Sequence, residues 1–295
     1  MKKTGFLLFA VLLLIAGCTL MVDKSPNGGD FWLKMGDGTN VSASDIDYYD
    51  ARHIIFLKND IPCLGKAFGD ESMSVYVSEV EIYKCTFHSL LSSSLPTGAF
   101  IYCDPSFYAN DIIYINFMQM LDLNGKPQFP DPRSDKRIIA ALKNKGLYHE
   151  GLRCEIQSVN YSNGKLVLSV ELSNPDSFDY YYLDPDKMGF GLFHYFTNGP
   201  CFWNNSYTES FTHHETVIHP EPWNLWESEW LSLIKSGERK NISITYQHFD
   251  NIPAGNYKMY FSFPGLNKLS KKERELGTGR IWIGDICVWK DITIN

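Results

Sequence analysis

"YSNGKLVLSVELSNP", residues 161–175, combines a tight turn with apolar side chains at every second position after it. Asn163-Gly164 is a residue pair that readily adopts the positive φ angles of a two-residue hairpin turn. After this turn the apolar side chains recur at every second position, at Leu166, Leu168, Val170 and Leu172. A period of two is typical of a strand with one buried face. The segment therefore predicts a β-hairpin, which ends where Asn174-Pro175 stops the strand.

Other segments of the C-terminal half show the same alternation. The clearest are "RKNISITYQHF", residues 239–249, with Ile242, Ile244 and Tyr246, and "PAGNYKMYFSFPG", residues 253–265, with Tyr257, Met259, Phe261 and Phe263. We also expect strands in "GFGLFHYF", residues 189–196, and in "GRIWIGDICVWKDITI", residues 279–294. Short strands separated by turn signals at this spacing predict an immunoglobulin-like β-sandwich over residues 151–295.

The preceding part of the chain, residues 43–150, predicts a small α+β domain. Strands are expected in "HIIFL" from residue 53, "MSVYVSEVEIYKCTF" from residue 73, "GAFIYC" from residue 98 and "DIIYINFMQM" from residue 111. One helix is expected, with Ser134 or Asp135 as its N-cap and Gly146 at its end. Because 15% of the chain is aromatic and aromatic residues fit a pleated surface, we expect a mainly β protein.

The first residues have the composition of an export signal. Lys2 and Lys3 precede an apolar run from Gly5 to Ala16, which is followed by Gly17 and Cys18. A basic start, a short apolar core and small residues before a cleavage site are typical of a secretory signal. We assign residues 1–17 to a signal peptide and residues 18–42, rich in Gly, Asp, Asn and Ser, to a tether.

The run Leu14-Ile15-Ala16-Gly17-Cys18 resembles the lipobox of bacterial lipoproteins. The resemblance implies that Cys18 carries a diacylglyceryl group and becomes the first residue of the mature protein. It implies a protein held at the membrane of the bacterial cell envelope, in the outer membrane, with the side that it faces left open. Two alternatives stay open: a membrane-spanning helix over Gly5–Val22, and an ordinary cleaved signal with a chance cysteine.

The C-terminal half also resembles immunoglobulin-like domains of the bacterial BsuPI type, first described as proteinase inhibitors, and fibronectin-like modules. The shared features are a strand ending in Asn174-Pro175, a Gly237-Glu238 turn and a Pro253-x-Gly255-x-Tyr257 turn. The whole chain is similar to two-domain lipoproteins of gut Bacteroidetes. This resemblance implies the fold more than an activity, because sandwiches perform many unrelated tasks.

Charge and motifs exclude several function classes. The formal net charge is −7, and nucleic-acid binding requires a basic face. There is no Gly-x-Ser-x-Gly sequence and no glycine-rich phosphate loop in a strand–helix unit. We therefore expect no catalytic residues, no cofactor and no nucleic-acid partner.

Residues 199–236 are longer than a sandwich turn and rich in aromatic residues, so they predict an insertion. If Pro222 begins a helix, Trp223, Trp226 and Trp230 lie on one helical face. This face either packs against the protein or forms an aromatic platform for a sugar or a partner. Together with Trp203, these tryptophans are the candidate ligand-binding residues.

Two further sets of residues leave their roles open. His213, His214, His219 and Glu215 do not have the spacing of a His-Glu-x-x-His zinc site, so no metal is expected. Six cysteines follow Cys18, and their pairing is not determined by the sequence; they are Cys63, Cys85, Cys103, Cys154, Cys201 and Cys287. The sequence predicts a lipid-anchored envelope protein that binds or scaffolds, with a carbohydrate or another envelope protein as ligand. The alternatives are an envelope hydrolase and a protease inhibitor that acts through a sandwich loop.

Overall fold

The computed structural model describes residues 29–61, 72–102, 109–120 and 128–295. Strands far outnumber helices in these ranges, which confirms the expectation of a mainly β protein. The signal peptide, Cys18, Cys63 and Cys103 lie outside the described residues. No helix in the described ranges has the length and apolar character needed to cross a membrane.

One curled sheet contains the strands of the N-terminal half. They are β1 (Phe31–Met35), β2 (Asn40–Ser42), β3 (Ile46–Asp50), β4 (Ile54–Leu57), β5 (Ser72–Val77), β6 (Val80–His88), β7 (Gly98–Tyr102), β8 (Ile112–Met118) and β9 (Tyr148–His149). The strand order is β2-β1-β5-β6-β7-β8-β4-β3-β9. Two of the neighbouring pairs, β6 with β7 and β3 with β9, are parallel.

The first strand corrects the predicted tether boundary. β1 and β2 lie within residues 18–42, and β1 pairs with β5 inside the sheet. Phe31 and Leu33 are buried in the N-terminal core. The folded body therefore includes residues that the Gly- and Asp-rich composition assigned to the tether, because a strand as short as β1 shows too few periods to stand out in sequence.

The helix of the N-terminal half is confirmed. It is α1 (Lys136–Asn144), and Asp135 caps it by accepting the backbone N–H of Arg137 at 2.8 Å. Ile138, Ala141 and Leu142 are buried against the sheet. Gly146 ends the helical segment with a φ of 67°, a conformation that favours glycine.

Three smaller sheets and two short helices form the C-terminal half. The elements are β10 (Arg153–Ser162), β11 (Lys165–Ser173), β12 (Tyr180–Leu183), α2 (Pro185–Met188), α3 (Phe190–Phe196), β13 (Asn198–Asn204), β14 (Ser210–Thr212), β15 (Leu231–Ile234), β16 (Arg239–Tyr246), β17 (Gly255–Phe263), β18 (Glu275–Leu276), β19 (Gly279–Ile281) and β20 (Ile286–Ile294). The sheet orders are β10-β11-β16, β15-β12-β19-β18 and β14-β13-β17-β20.

The hairpin predicted from residues 161–175 is present. Asn163 and Gly164 both have positive φ, 50° and 75°, and they join β10 to β11. All four alternating residues of β11 are completely buried, as are most of those predicted for β16 and β17. The side chains of these strands meet those of β13 in one core, so the sheets β10-β11-β16 and β14-β13-β17-β20 share it. Full burial of each large apolar side chain contributes roughly 1.5–3 kcal/mol.

Two predictions about residues 189–236 are wrong. Residues 190–196 form α3 rather than a strand, and α2 before it begins at Pro185 with Asp184 as its N-cap. The predicted insertion over residues 199–236 is not a separate element, because it contains β13, which lies between β14 and β17. The strand order of this sheet therefore uses residues that the sequence assigned to the insertion.

The two halves of the chain share a core. Tyr48, Ile54, Phe56 and Ile112 of the N-terminal half pack in the same apolar cluster as the strands of the C-terminal half. An ion pair between Arg274 and Asp111, 3.1 Å apart and almost completely buried, also joins them. This shared core fixes the N-terminal sheet against the segments that form the site described below.

Candidate functional site

A cavity of about 350 Å³ opens beside the end of α3. Four aromatic side chains form one part of its lining; they are Tyr195, Phe196, Trp223 and Trp226. The rest comes from Asn198, Asn224, Asp285 and the loop of residues 265–268. The cavity is thus built by four separate stretches of the chain, and its volume lies in the range of small-molecule sites, roughly 300–1,000 Å³.

Trp223 and Trp226 are the two predicted ligand-binding residues that the structure brings together. The Trp223 side chain is 48% exposed, and its backbone carbonyl accepts a hydrogen bond from the Tyr195 hydroxyl at 2.9 Å. Trp226 is partly buried and packs against the C-terminal core. The cavity therefore has one indole anchored in the protein and one that is open to solvent.

Polar residues also line the cavity. They are the amides of Asn198, Asn224 and Asn267, the ammonium of Lys268 and the carboxylate of Asp285. Burial raises the pKa of Asp285 above the usual value for an aspartate, and the backbone N–H of Gly265 donates to its Oδ1 at 3.3 Å. Among the described lining residues, Asp285 supplies the single carboxylate.

Close backbone contacts hold the wall that contains Asp285. The backbone N–H of Gly284 donates to the Leu266 carbonyl at 2.9 Å, and that of Leu266 donates to the Trp282 carbonyl at 3.2 Å. A Cβ atom on Gly265 would lie 2.4 Å from the Gly284 carbonyl oxygen, so only glycine permits this approach. The two loops therefore act as one wall.

Hydrogen bonds from the N-terminal half hold this wall in place. The Arg52 guanidinium donates to the carbonyls of Gly284 at 2.9 Å and Ile283 at 2.6 Å. Asp50 pairs with the same guanidinium at 3.0 Å. A side chain far away in sequence thus fixes the backbone on which Asp285 is placed.

The other two predicted tryptophans lie elsewhere. The helix expected from Pro222 is absent in the described residues, where the segment contains one 3₁₀ turn, Ser228–Trp230. Trp230 packs against Phe196, with ring centroids 6.1 Å apart, and against the C-terminal core. Trp203 lies on β13, opposite Lys258 of β17. The predicted common face of Trp223, Trp226 and Trp230 is therefore wrong.

The histidines of residues 213–219 are dispersed. The His213 ring lies against Tyr246 and His194, with centroids 5.0 and 4.9 Å apart, whereas His214 Nε2 lies 2.6 Å from Asp250 Oδ1. His219 contacts Tyr195. Nowhere in the described ranges do three or more His, Cys, Asp or Glu side chains form a group that could hold a metal ion.

The described cysteines are free thiols. Cys85 and Cys154 are buried, Cys201 is partly buried and Cys287 is exposed. Burial raises the pKa of the Cys154 thiol to about 12. A thiol of such high pKa is mostly protonated at neutral pH and unreactive, so Cys154 serves as a small apolar side chain.

Sequence reasoning missed Tyr195, Asn267, Lys268 and Asp285 as lining residues. Tyr195 was missed because residues 189–196 were assigned to a strand. The other three lie in loops that no motif marks, and only the fold places them in the same cavity as Trp223. No family model, curated protein or solved structure matches this chain.

Proposed function

We propose that this protein is a lipid-anchored envelope protein that binds glycans in the cavity formed by Trp223 and Trp226. The observation that carries the proposal is the composition of that cavity. Its lining combines four aromatic side chains with three asparagines, a lysine and an aspartate. In the proposal the chain is tethered through Cys18, and the two C-terminal sheets that share a core belong to an immunoglobulin-like sandwich.

The chemistry of a sugar ring matches this lining. A pyranose has a face of C–H groups, which packs against an indole or phenol ring, and a rim of hydroxyls that both donate and accept hydrogen bonds. Asn side chains offer a donor and an acceptor, and a carboxylate offers acceptors. A few polar groups beside aromatic rings fix the orientation of a ligand in an otherwise apolar pocket.

Binding suits the cavity better than glycoside hydrolysis. Hydrolysis of this type uses a pair of carboxylates on either side of the scissile bond. Asp285 stands alone as a carboxylate among the described residues of the lining.

Affinity electrophoresis tests the proposal. The full chain in detergent is run through gels that contain soluble neutral polysaccharides of the β-glucan, xylan, mannan and α-glucan classes. We expect retardation by at least one class, and a loss of affinity of about tenfold or more in Trp223→Ala. Trp32→Ala is the matched control, because Trp32 stacks on Tyr76 in the N-terminal sheet. Equal retardation of Trp223→Ala and wild type would contradict the proposal.

A further inference from the structure

A second group of aromatic side chains lies on the outer face of the sheet β14-β13-β17-β20. The register of this sheet aligns Trp203, Lys258 and Asp291 in one row across β13, β17 and β20. The next row contains Tyr260 and Trp289. The alternate residues of the central strands, Phe202 and Met259 among them, are completely buried, so both rows point away from the core.

These side chains form a shallow pocket. Its volume is about 230 Å³, and Tyr207, Lys258, Trp289 and Asp291 contribute to its lining. Trp289 and Tyr207 are 58% and 54% exposed. The Trp289 ring centroid lies 4.9 Å from that of Tyr260, and the Tyr207 centroid lies 6.4 Å from that of Trp203. Each exposed ring is thus backed by a second ring, which restricts its movement.

An ion pair lies in the pocket. Lys258 Nζ and Asp291 Oδ1 are 2.9 Å apart. An ammonium has three donors and a carboxylate has several lone pairs, so both groups retain capacity for a ligand. Lys290 also lines the pocket, but its ammonium donates to the backbone carbonyls of Ile156 at 2.6 Å and Gln157 at 3.2 Å. Because Lys258 and Asp291 neutralise each other, this pair does not favour a charged ligand. Exposed rings beside a neutralised polar pair match an uncharged ring that carries hydroxyls.

We infer that this pocket is a second glycan-binding site, which takes a neutral sugar ring against Trp289 and Tyr207 with its hydroxyls on Lys258 and Asp291. The site is separate from the cavity, and the inference stands on different residues. Four positions along the chain separate Trp289 from Asp285 of the cavity, or about 13 Å of extended strand. In this inference one polysaccharide chain contacts both sites, and simultaneous contact raises its apparent affinity.

The test uses the full chain and the same neutral polysaccharides in affinity gels. The variants are Trp289→Ala, Trp223→Ala and the two combined. Tyr207→Asn is a second variant of the new site, chosen because Tyr207 has a φ of 56°, which asparagine tolerates. Thermal unfolding of each variant shows whether it is folded, and Trp32→Ala is again the control.

We expect each single variant to lose about tenfold or more in polymer affinity and the double variant to lose all retardation. If Trp289→Ala and Tyr207→Asn are both retarded as strongly as the wild type, the second site is overturned and the cavity proposal stands. If Trp289→Ala loses affinity while Trp223→Ala is retarded as strongly as the wild type, the result supports the second site and contradicts glycan binding in the cavity. Absence of retardation of the wild type by every polysaccharide would overturn both.

Discussion

The guanidinium carbon of Arg52 lies 3.5 Å from the centroid of the Trp282 ring. Arg52 belongs to the turn between β3 and β4, and Trp282 follows β19, so this contact joins the two halves of the chain. The same guanidinium donates to the carbonyls of Ile283 and Gly284 and pairs with Asp50. One side chain therefore combines a cation–π contact, an ion pair and two backbone hydrogen bonds behind the cavity wall.

Arg52→Met should destabilise the protein. The substitution leaves the Asp50 carboxylate buried without its cation, and Asp50 is 1% exposed. Loss of one partner of a buried ion pair costs about 3–5 kcal/mol. Arg52→Lys should recover part of this stability, because an ammonium keeps the charge but cannot reproduce the fork of donors. The measurement is chemical denaturation at neutral pH, and unfolding midpoints equal to wild type in both variants would contradict the described interface.

Gly265→Ala should lower glycan affinity by displacing the cavity wall. The added Cβ would lie 2.4 Å from the Gly284 carbonyl oxygen, so the two loops have to separate. Gly255→Ala is the matched control, because the nearest contact of its Cβ is an ordinary one at 3.4 Å. Affinity electrophoresis should show weaker retardation of Gly265→Ala than of the wild type, whereas Gly255→Ala should be retarded as strongly as the wild type. Equal retardation of both variants would mean that the wall does not contribute to binding.

Acidification should destabilise the protein partly through His194. Burial lowers the pKa of His194 to about 4, and the nearby His213 acts in the same direction. Glu215 acts in the opposite direction, and the Tyr246 ring lies against the His194 ring. An unfolded histidine has a pKa of about 6.5. Between these values the unfolded state holds a proton that the folded state lacks, so stability falls as the pH decreases from about 6.5 to 4.

His194→Phe should remove part of this decrease, on the order of 1–2 kcal/mol. His53, whose pKa burial also lowers to about 4, retains its own contribution in this variant. Thermal unfolding from pH 7 to pH 4 measures the slope. A slope identical to wild type in His194→Phe would show that this ring does not remain neutral in the folded protein.

The lipid anchor is tested at Cys18. If the resemblance of residues 14–18 to a lipobox holds, the mature protein begins at Cys18 and incorporates a metabolic fatty-acid label. Cys18→Ala should abolish both the label and processing at that peptide bond, and the chain should leave the membrane fraction. Mass spectrometry of the mature N-terminus detects the lipid and the cleavage position, and membrane fractionation detects the release of the chain. Unchanged processing with firm membrane retention would remove the anchor proposal.

The β strands with one buried face could be predicted from sequence because their period matches their packing. In β11 every second residue is apolar and completely buried, so the pattern alone identifies the strand and its inner face. Residues 190–196 show the limit of this reasoning. Phe190, Leu192, Phe193, Tyr195 and Phe196 fill almost every position, so no period separates a helix from a strand.

The cavity could be predicted only in part. Trp223 and Trp226 stood out because they are aromatic residues in a segment that no strand pattern explains. Asn267 and Asp285 lie in turns with ordinary turn composition, and their place in the same cavity as Trp223 depends on long-range packing of four stretches of the chain. The support from Arg52 comes from the other half of the chain, and local sequence carries no signal for such a contact.

A glycan array probed with the full-length wild-type protein and with Trp223→Ala tests the central claim most directly. The proposed cavity predicts that the wild type binds a defined class of neutral glycans, and that Trp223→Ala loses most of the signal on the same glycans while Trp32→Ala retains it. If the wild type binds none of the neutral glycans, or if Trp223→Ala gives the same signal as the wild type, the result contradicts glycan binding at this cavity.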